Sequence, residues 1–312
     1  MKIFIYGSGF IARNLIEYLK AFDNNVQIIL AYNKHKIIVK QKIKQFSMND
    51  NIENILIKEK PEYIVVLQGN SFVADNTNIE SSTHDNMMKS AIFLEKIYNS
   101  DVSKFIKKIL VVGSASEYGK FYDKPIKEDF SLHPTSLYGL SKIFLYNSSM
   151  YFVERGLPIV YIRQFNTVGI GQRDSFVFSS FSKNIVKIEK NLSEPILNVG
   201  DLSQERDFLD VRDTCMAYYI LMEKGIIGET YNVASGDYIS IEKLLYAMIE
   251  KSNLSKHDLK IIENKNLFSK EASLSKRLHA DINKLKTLGF KPKYKLEDTI
   301  QDILEYWRKN VR

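Results

Sequence analysis

Three polar side chains near the middle of the chain have the types and order needed to move a proton. Tyr138 and Lys142 stand four apart in Tyr138-Gly139-Leu140-Ser141-Lys142, so on a helix they share one face. A phenol with its ordinary pKa of about 10 is a poor acid–base group at neutral pH. A neighbouring ammonium favours the phenolate and is expected to bring that pKa towards the working range. Upstream, Ser114 lies in Gly113-Ser114-Ala115-Ser116-Glu117-Tyr118-Gly119, directly after an apolar run that reads as a strand. Its hydroxyl could hold a substrate oxygen while Tyr138 exchanges the proton. A Tyr and a Lys at this spacing are common on plain helix surfaces. The serine in the right chain order, and the glycine motif below, turn the reading towards catalysis.

That glycine motif is Gly7-Ser8-Gly9-Phe10-Ile11-Ala12, which fits G-x-G-x-x-A between a strand and a helix. Gly7 permits the tight turn, Gly9 lets the backbone approach a pyrophosphate, and Ala12 allows close helix–strand packing. The N–H groups of Ser8, Gly9, Phe10 and Ile11 then open a helix whose N-terminus suits phosphate. A plain strand–helix turn uses the same residues; placement at the first strand–helix junction favours the dinucleotide. An acid at the end of the second strand would bond the adenosine ribose of NAD. Val26 to Lys36 holds no Asp or Glu and ends Tyr32-Asn33-Lys34-His35-Lys36. Asn33 and Lys34 therefore favour the 2′-phosphate of NADP, with NAD as the alternative and solvated lysines as the bland reading.

The elements that must position these groups follow from periodicity. Short apolar strands are expected at Lys2 to Tyr6, Val26 to Ala31, Tyr63 to Leu67, Ile109 to Val112 and Ile159 to Ile162. Helices alternate with them, around Leu15 to Leu19 and over Ile52 to Ile57, Met87 to Tyr98 and Leu137 to Val153. Five βα units before residue 165 predict an α/β fold, a Rossmann-type doubly wound parallel sheet. Beyond it the rhythm breaks into α+β material. Helices are expected at Val177 to Glu189, Asp210 to Glu223, Ser240 to Lys251 and Leu296 to Lys309, with strands at Ile196 to Val199 and Thr230 to Val233. The expected division is a dinucleotide-binding domain of 1–165 plus about 208–235, and a smaller nucleotide-sugar-binding lobe of about 166–207 and 236–312.

Composition narrows the class. The 312 residues are 45% hydrophobic and 26% charged, ordinary for a globular chain and ample for a buried core. One cysteine, Cys215, excludes an intramolecular disulfide or a Cys-rich metal site; no metal is expected, and a reducing cytoplasm fits. No apolar run approaches the roughly twenty residues of a membrane span, and no signal peptide is read at the start. A net charge of +7 favours an anionic ligand weakly. The lysines at 34, 36, 40, 42 and 44 interleave with apolar residues, which suits a solvated face better than a nucleic-acid stripe.

At this point the residues resemble a known family, the extended short-chain dehydrogenase/reductases acting on nucleotide sugars. Pro61 to Gly69 is similar to the family's strand that ends beside the cofactor, and Asn86 with Leu94-Glu95 resembles its following helix. Glu128-Asp129 and His133-Pro134-Thr135-Ser136 resemble the approach to the active Tyr. Arg163-Gln164-Phe165-Asn166-Thr167-Val168-Gly169-Ile170-Gly171-Gln172 is similar to the segment flanking nicotinamide and sugar. Phe176 to Phe181, Asn198 to Leu202, Glu205 to Asp213 and Tyr231 to Gly236 are similar to the GDP-4-keto-6-deoxymannose reductase subgroup.

The resemblance implies that Leu67, Gln68, Gly69 and Phe165 line the cofactor, and that Lys142 holds the nicotinamide ribose as well as tuning Tyr138. It implies that Asn166 and Arg206, with Arg277 as a weaker candidate, contact the substrate; for Arg206 an ion pair with Asp207 or Glu205 is the bland reading. It further implies a homodimer through helices such as the one carrying Tyr138, and a place in deoxysugar biosynthesis. The glycine loop is one residue shorter than the family's, Ala12 stands for its third Gly, and Gln164 stands where Pro is common.

Dehydratases of the family carry an acid just after the Ser/Thr; here Ala115 and Ser116 hold those places and Glu117 is one later, which disfavours dehydration. Reduction of the C4 ketone of an NDP-4-keto-6-deoxy sugar is the expectation, with GDP favoured. A 4-epimerase with retained NAD uses the same three side chains and stays open, and a non-catalytic NADP-binding sensor has no need of them.

Overall fold

The computed structural model describes residues 1–70, 83–119, 122–255, 259–267 and 277–311. Seven strands form one parallel sheet: β1 (Lys2–Tyr6), β2 (Gln27–Tyr32), β3 (Lys44–Ser47), β4 (Tyr63–Val66), β5 (Lys108–Val112), β6 (Ile159–Gln164) and β11 (Thr230–Val233). Their order across the sheet is β11-β6-β5-β4-β1-β2-β3. The chain therefore leaves the first strand in one direction and later returns to extend the sheet on the other side. Ligands in such sheets bind outside the carboxyl ends of the strands, where the order reverses.

Helices α1 (Phe10–Phe22), α2 (Ile52–Glu59), α3 (Lys89–Tyr98), α4 (Leu137–Val153) and α6 (Val211–Lys224) accompany this sheet. Its strands are apolar on both sides because both faces are covered. Alternation divides the side chains: Ile3, Ile5, Leu30, Val65 and Leu110 join one core with Leu15 and Leu221. Phe4, Tyr6, Ile29, Ile64 and Ile109 join the other with Phe93 and Leu145.

A separate core, with Phe178, Ile185, Leu244, Met248, Ile300 and Leu304, holds the remaining helices α5 (Val177–Glu189), α7 (Ile241–Glu250) and α9 (Leu296–Asn310). Helix α8 (Asn283–Thr287) packs its Leu285 on the first core. Short strands stitch this region together. They are β7 (Asn166–Val168) beside β10 (Phe208–Asp210), β8 (Ile196–Val199) beside β13 (Lys260–Glu263), and β9 (Glu205–Arg206) between β12 (Ile239–Ser240) and β14 (Arg277–Leu278).

The expected elements are present, with one correction to the count. Six strands precede residue 165, because β3 follows β2 without an intervening helix. Lys44, Gln45 and Ser47 surround its one apolar residue, Phe46, and none of the four is buried, so an edge strand this polar carries no periodic signal. The strand before Gln68 is thus the fourth, and the strand before Ser114 the fifth. Among the described residues no helix is long and apolar enough to cross a membrane, and no cluster of three or more metal-ligating side chains occurs.

Candidate active site

The first turn after β1 is built to leave space. Gly7 adopts φ +126, and a Cβ there would lie 2.8 Å from the Leu67 carbonyl carbon and 2.9 Å from the Gln68 nitrogen. Only glycine lets this turn run so close to the end of β4. Gly9 is the N-cap of α1 and supplies no side-chain cap; the first turn of α1 carries no acid, and a Cβ on Gly9 would meet nothing within 4 Å. No side chain caps the opening N–H groups of α1, and the positive end of the helix stands behind them, which fits a dinucleotide pyrophosphate.

Ser8 and Phe10 are half-buried there; Phe10 and Ile11 pack on the core, so their backbones are what the turn presents. Asn33 is half-buried and Lys34 exposed just beyond β2, where an adenosine phosphate would be read. Leu67 is half-buried and Gln68 buried at the end of β4. A Cβ on Gly69 (φ +148) would sit 2.9 Å from Asn86 Oδ1 and 3.2 Å from Lys142 Nζ, so this strand end passes directly against the lysine. Asn86, fully buried, accepts from the Asn70 N–H at 2.6 Å and pins that passage. Its part in the site was not legible beyond its place on a helix, since a lone Asn carries no spacing signal.

Ser114, Tyr138 and Lys142 converge beyond β5, as their order predicts. All three are buried, at 8%, 7% and 4% exposure. Ser136 caps α4 by accepting from the Gly139 N–H at 3.0 Å, starting the helix just before the tyrosine. Lys142 Nζ donates to the Val112 carbonyl at 3.3 Å and lies 5.8 Å from the Tyr138 ring centre.

Burial governs the protonation of this set. Burial pushes the Tyr138 phenol up to about 12; a hydrogen bond from Ser114 works against this, and the Glu117 charge adds to it. Burial also brings the Lys142 ammonium down to about 8, against the pull of Glu117. In both groups burial is the largest cause of the shift, and it favours the neutral form of each.

The residues expected at the substrate lie on the short strands beyond the main sheet. Asn166 donates from Nδ2 to the Asp207 carbonyl at 3.0 Å, fixing its amide against β10. Arg206 donates to the Glu205 carbonyl and to Gln204 Oε1, at 2.8 and 2.7 Å. Asp207 points elsewhere: its carboxylate accepts from the Ser235 hydroxyl and from the N–H groups of Ser235 and Gly236, and burial pushes it up to about 6. The carboxylate of Glu205 is instead the partner of Arg277, whose guanidinium stacks 4.3 Å from the Tyr238 ring centre. Arg206 and Arg277 stand on neighbouring strands of one small sheet, but Arg277 is in register with Glu205 and Arg206 with Leu278, so their side chains leave opposite faces. Phe165 has its ring in the core, 6.3 Å from that of Tyr118, so its contribution to a ligand is confined to its backbone.

The family profile described as GDP-mannose 4,6 dehydratase matches residues 7–303. A GDP-6-deoxy-D-mannose reductase of Pseudomonas aeruginosa is 26% identical over 317 residues, covering 100% of this chain and 98% of the relative. A GDP-6-deoxy-D-talose 4-dehydrogenase of Aggregatibacter actinomycetemcomitans is 28% identical over 314 residues, 99% and 98% of the two chains. Among solved structures, RMD from Pseudomonas aeruginosa complexed with NADPH superposes with a TM-score of 0.84 over 99% of both chains at 24% identity.

Proposed function

Because the chain belongs to the GDP-mannose 4,6-dehydratase family, and so to the extended short-chain dehydrogenase/reductases that modify nucleotide sugars, we propose that it reduces the C4 ketone of an NDP-4-keto-6-deoxy sugar. GDP is the favoured nucleotide and NADP the favoured cofactor. The observation that carries this reading is a buried Ser–Tyr–Lys set with no free acid beside it among the described residues. Ala115 and Ser116 hold the positions where dehydratases place their acid. Glu117 is fully buried and ion-paired to Arg163 at 2.8 Å, where it cannot protonate a leaving hydroxide. The Pseudomonas and Aggregatibacter relatives, both named for GDP-6-deoxy sugars, support the same substrate class.

Gly7, Ser8, Gly9, Phe10 and Ile11 would hold the cofactor pyrophosphate, Asn33 and Lys34 its adenosine phosphate, Leu67, Gln68, Gly69 and the Phe165 backbone its nicotinamide half, and Tyr138 and Lys142 its ribose. When bound, NADPH supplies the hydride. Ser114 donates its hydroxyl hydrogen to the ketone oxygen and holds it against Tyr138. Tyr138 passes its proton to that oxygen as it gains alkoxide character. A phenol held near 12 keeps its proton in neutral solution and gives it up only to a stronger base, which an alkoxide is. Lys142 acts as the ammonium beside the phenol. Asn166, Arg206 and Arg277 form the substrate wall, the arginines as planar donors for its diphosphate.

The division into a dinucleotide domain (1–165 with about 208–235) and a nucleotide-sugar lobe (about 166–207 and 236–312) follows from these roles. A second copy of the chain fits the exposed apolar face of Leu140, Phe144 and Tyr151 on α4 beside Ile92 and Tyr98 on α3. Phe144→Glu is expected to convert a dimer to a monomer in analytical ultracentrifugation.

The test is nicotinamide absorbance against time with purified protein, GDP-4-keto-6-deoxymannose and either NADPH or NADH. Rapid oxidation, faster with NADPH, is expected. Sugar interconversion without net oxidation, with NAD carried through purification, would replace this reading with a 4-epimerase. Binding of NADPH without turnover of any keto sugar would leave a sensor.

A further inference from the structure

The carboxylate that the reaction does not use holds the parts that it does. Glu117 Oε1 accepts from the Ser114 N–H at 2.8 Å and from the Tyr161 hydroxyl at 2.9 Å, while Oε2 accepts from Arg163 Nε at 2.8 Å. The Ser114 hydroxyl oxygen in turn accepts from the Ser116 N–H at 3.1 Å, completing a capping box around one short helical turn, Ala115–Glu117. The Tyr161 hydroxyl also lies 3.1 Å from the Lys142 carbonyl. A single buried carboxylate therefore fixes the serine-bearing turn against β6, and it shares the one hydrogen of the Tyr161 phenol with the carbonyl of the lysine-bearing turn of α4.

Gly113 makes the arrangement possible: a Cβ there would collide with both Glu117 Oε1 and the Tyr161 hydroxyl. Arg163 balances the charge from beneath, with its guanidinium between the rings of Tyr118 and Tyr146 at 4.9 and 4.8 Å. It also donates to the Tyr118 hydroxyl and the Glu128 carbonyl.

We infer that Glu117 is a positioning residue: through the Ser114 N–H and Tyr161 it sets the serine hydroxyl and the Lys142 turn in register with Tyr138. Its field is a second handle. Among the described residues, the charged groups that act on it or feel it are Arg163 on β6 and Lys142 on α4, with the phenols of Tyr118, Tyr138 and Tyr161 around it. The Glu117 charge raises both Tyr138 and Lys142, so removing it should make Lys142 lose its proton at lower pH.

This rests on Ser114, Tyr138 and Lys142 being the reacting set, so Tyr138→Phe is measured alongside. Glu117→Gln keeps an oxygen for Ser114 and Tyr161 but no charge; Glu117→Ala keeps neither. In NADPH-dependent turnover of the keto sugar, Glu117→Ala is expected to lose on the order of a hundredfold in kcat, as misplacement of reacting groups by about an ångström does. NADPH affinity, read by fluorescence, should stay within about twofold, because the phosphate turn is untouched. Glu117→Gln should recover most of kcat while its alkaline limb moves to lower pH by about half a unit or more. A folded Glu117→Ala variant with unchanged kcat overturns the inference. If that variant does not fold, an unmoved alkaline limb in Glu117→Gln overturns it instead. Turnover retained by Tyr138→Phe would sink the catalytic reading itself; a dead Tyr138→Phe with unaltered Glu117 variants would sink only the positioning role.

Discussion

The two walls proposed for the site are made differently. Ser114, Tyr138 and Lys142 are buried on a central strand end and a helix of seventeen residues, locked by hydrogen bonds within the sheet domain. Asn166, Arg206 and Arg277 are half-buried and stand on strands of two or three residues, each held by a neighbour in the lobe. The first wall suits chemistry, which tolerates little displacement of reacting groups. The second suits recognition, where long cationic side chains adjust to an anionic ligand.

That contrast can be broken in five places. Tyr138→Phe should lower kcat by roughly a thousandfold and leave NADPH affinity within about twofold; a loss of binding in place of turnover would move Tyr138 to the recognition wall. Arg206→Ala should raise KM for the nucleotide sugar by about tenfold or more with a smaller change in kcat, the pattern of a lost uniform binding contact. Arg277→Ala should do less, since its guanidinium is engaged by Glu205; equal effects would show that the ion pair opens for substrate.

The alkaline limb of turnover should fall near pH 8, where Lys142, its pKa lowered by burial, gives up its ammonium; the sign follows because the protonated form is the active one. A profile flat to pH 10 would mean that Lys142 acts without its charge. Lys34→Ala should reduce the preference for NADPH over NADH by about tenfold, the scale of one exposed contact to phosphate. An unchanged ratio would leave Lys34 solvated.

Legibility follows the same divide. The first wall could be read in advance because its residues sit at fixed spacings on long elements: the glycine turn after a five-residue strand, and Tyr138 four residues before Lys142. Ser114 and Glu117 also carry the S-x-x-E outline of a capping box. The second wall needed the resemblance, since Glu205-Arg206 and Arg277-Leu278 are too short for any periodicity. So was β3, with a single apolar residue. The rise of the Tyr138 pKa was hidden for another reason: burial of a phenol is a tertiary fact, and local spacing shows only the lysine that would oppose it.

The central claim is hydride delivery to C4 of a keto sugar beside Tyr138. It is tested most directly by turnover with NADPH carrying deuterium at both nicotinamide C4 positions and NMR of the purified product. Deuterium bonded to C4 of a GDP-6-deoxyhexose, one label per NADPH consumed, is the result expected. An unlabelled product, or epimerised sugar formed with no NADPH consumed, would contradict it.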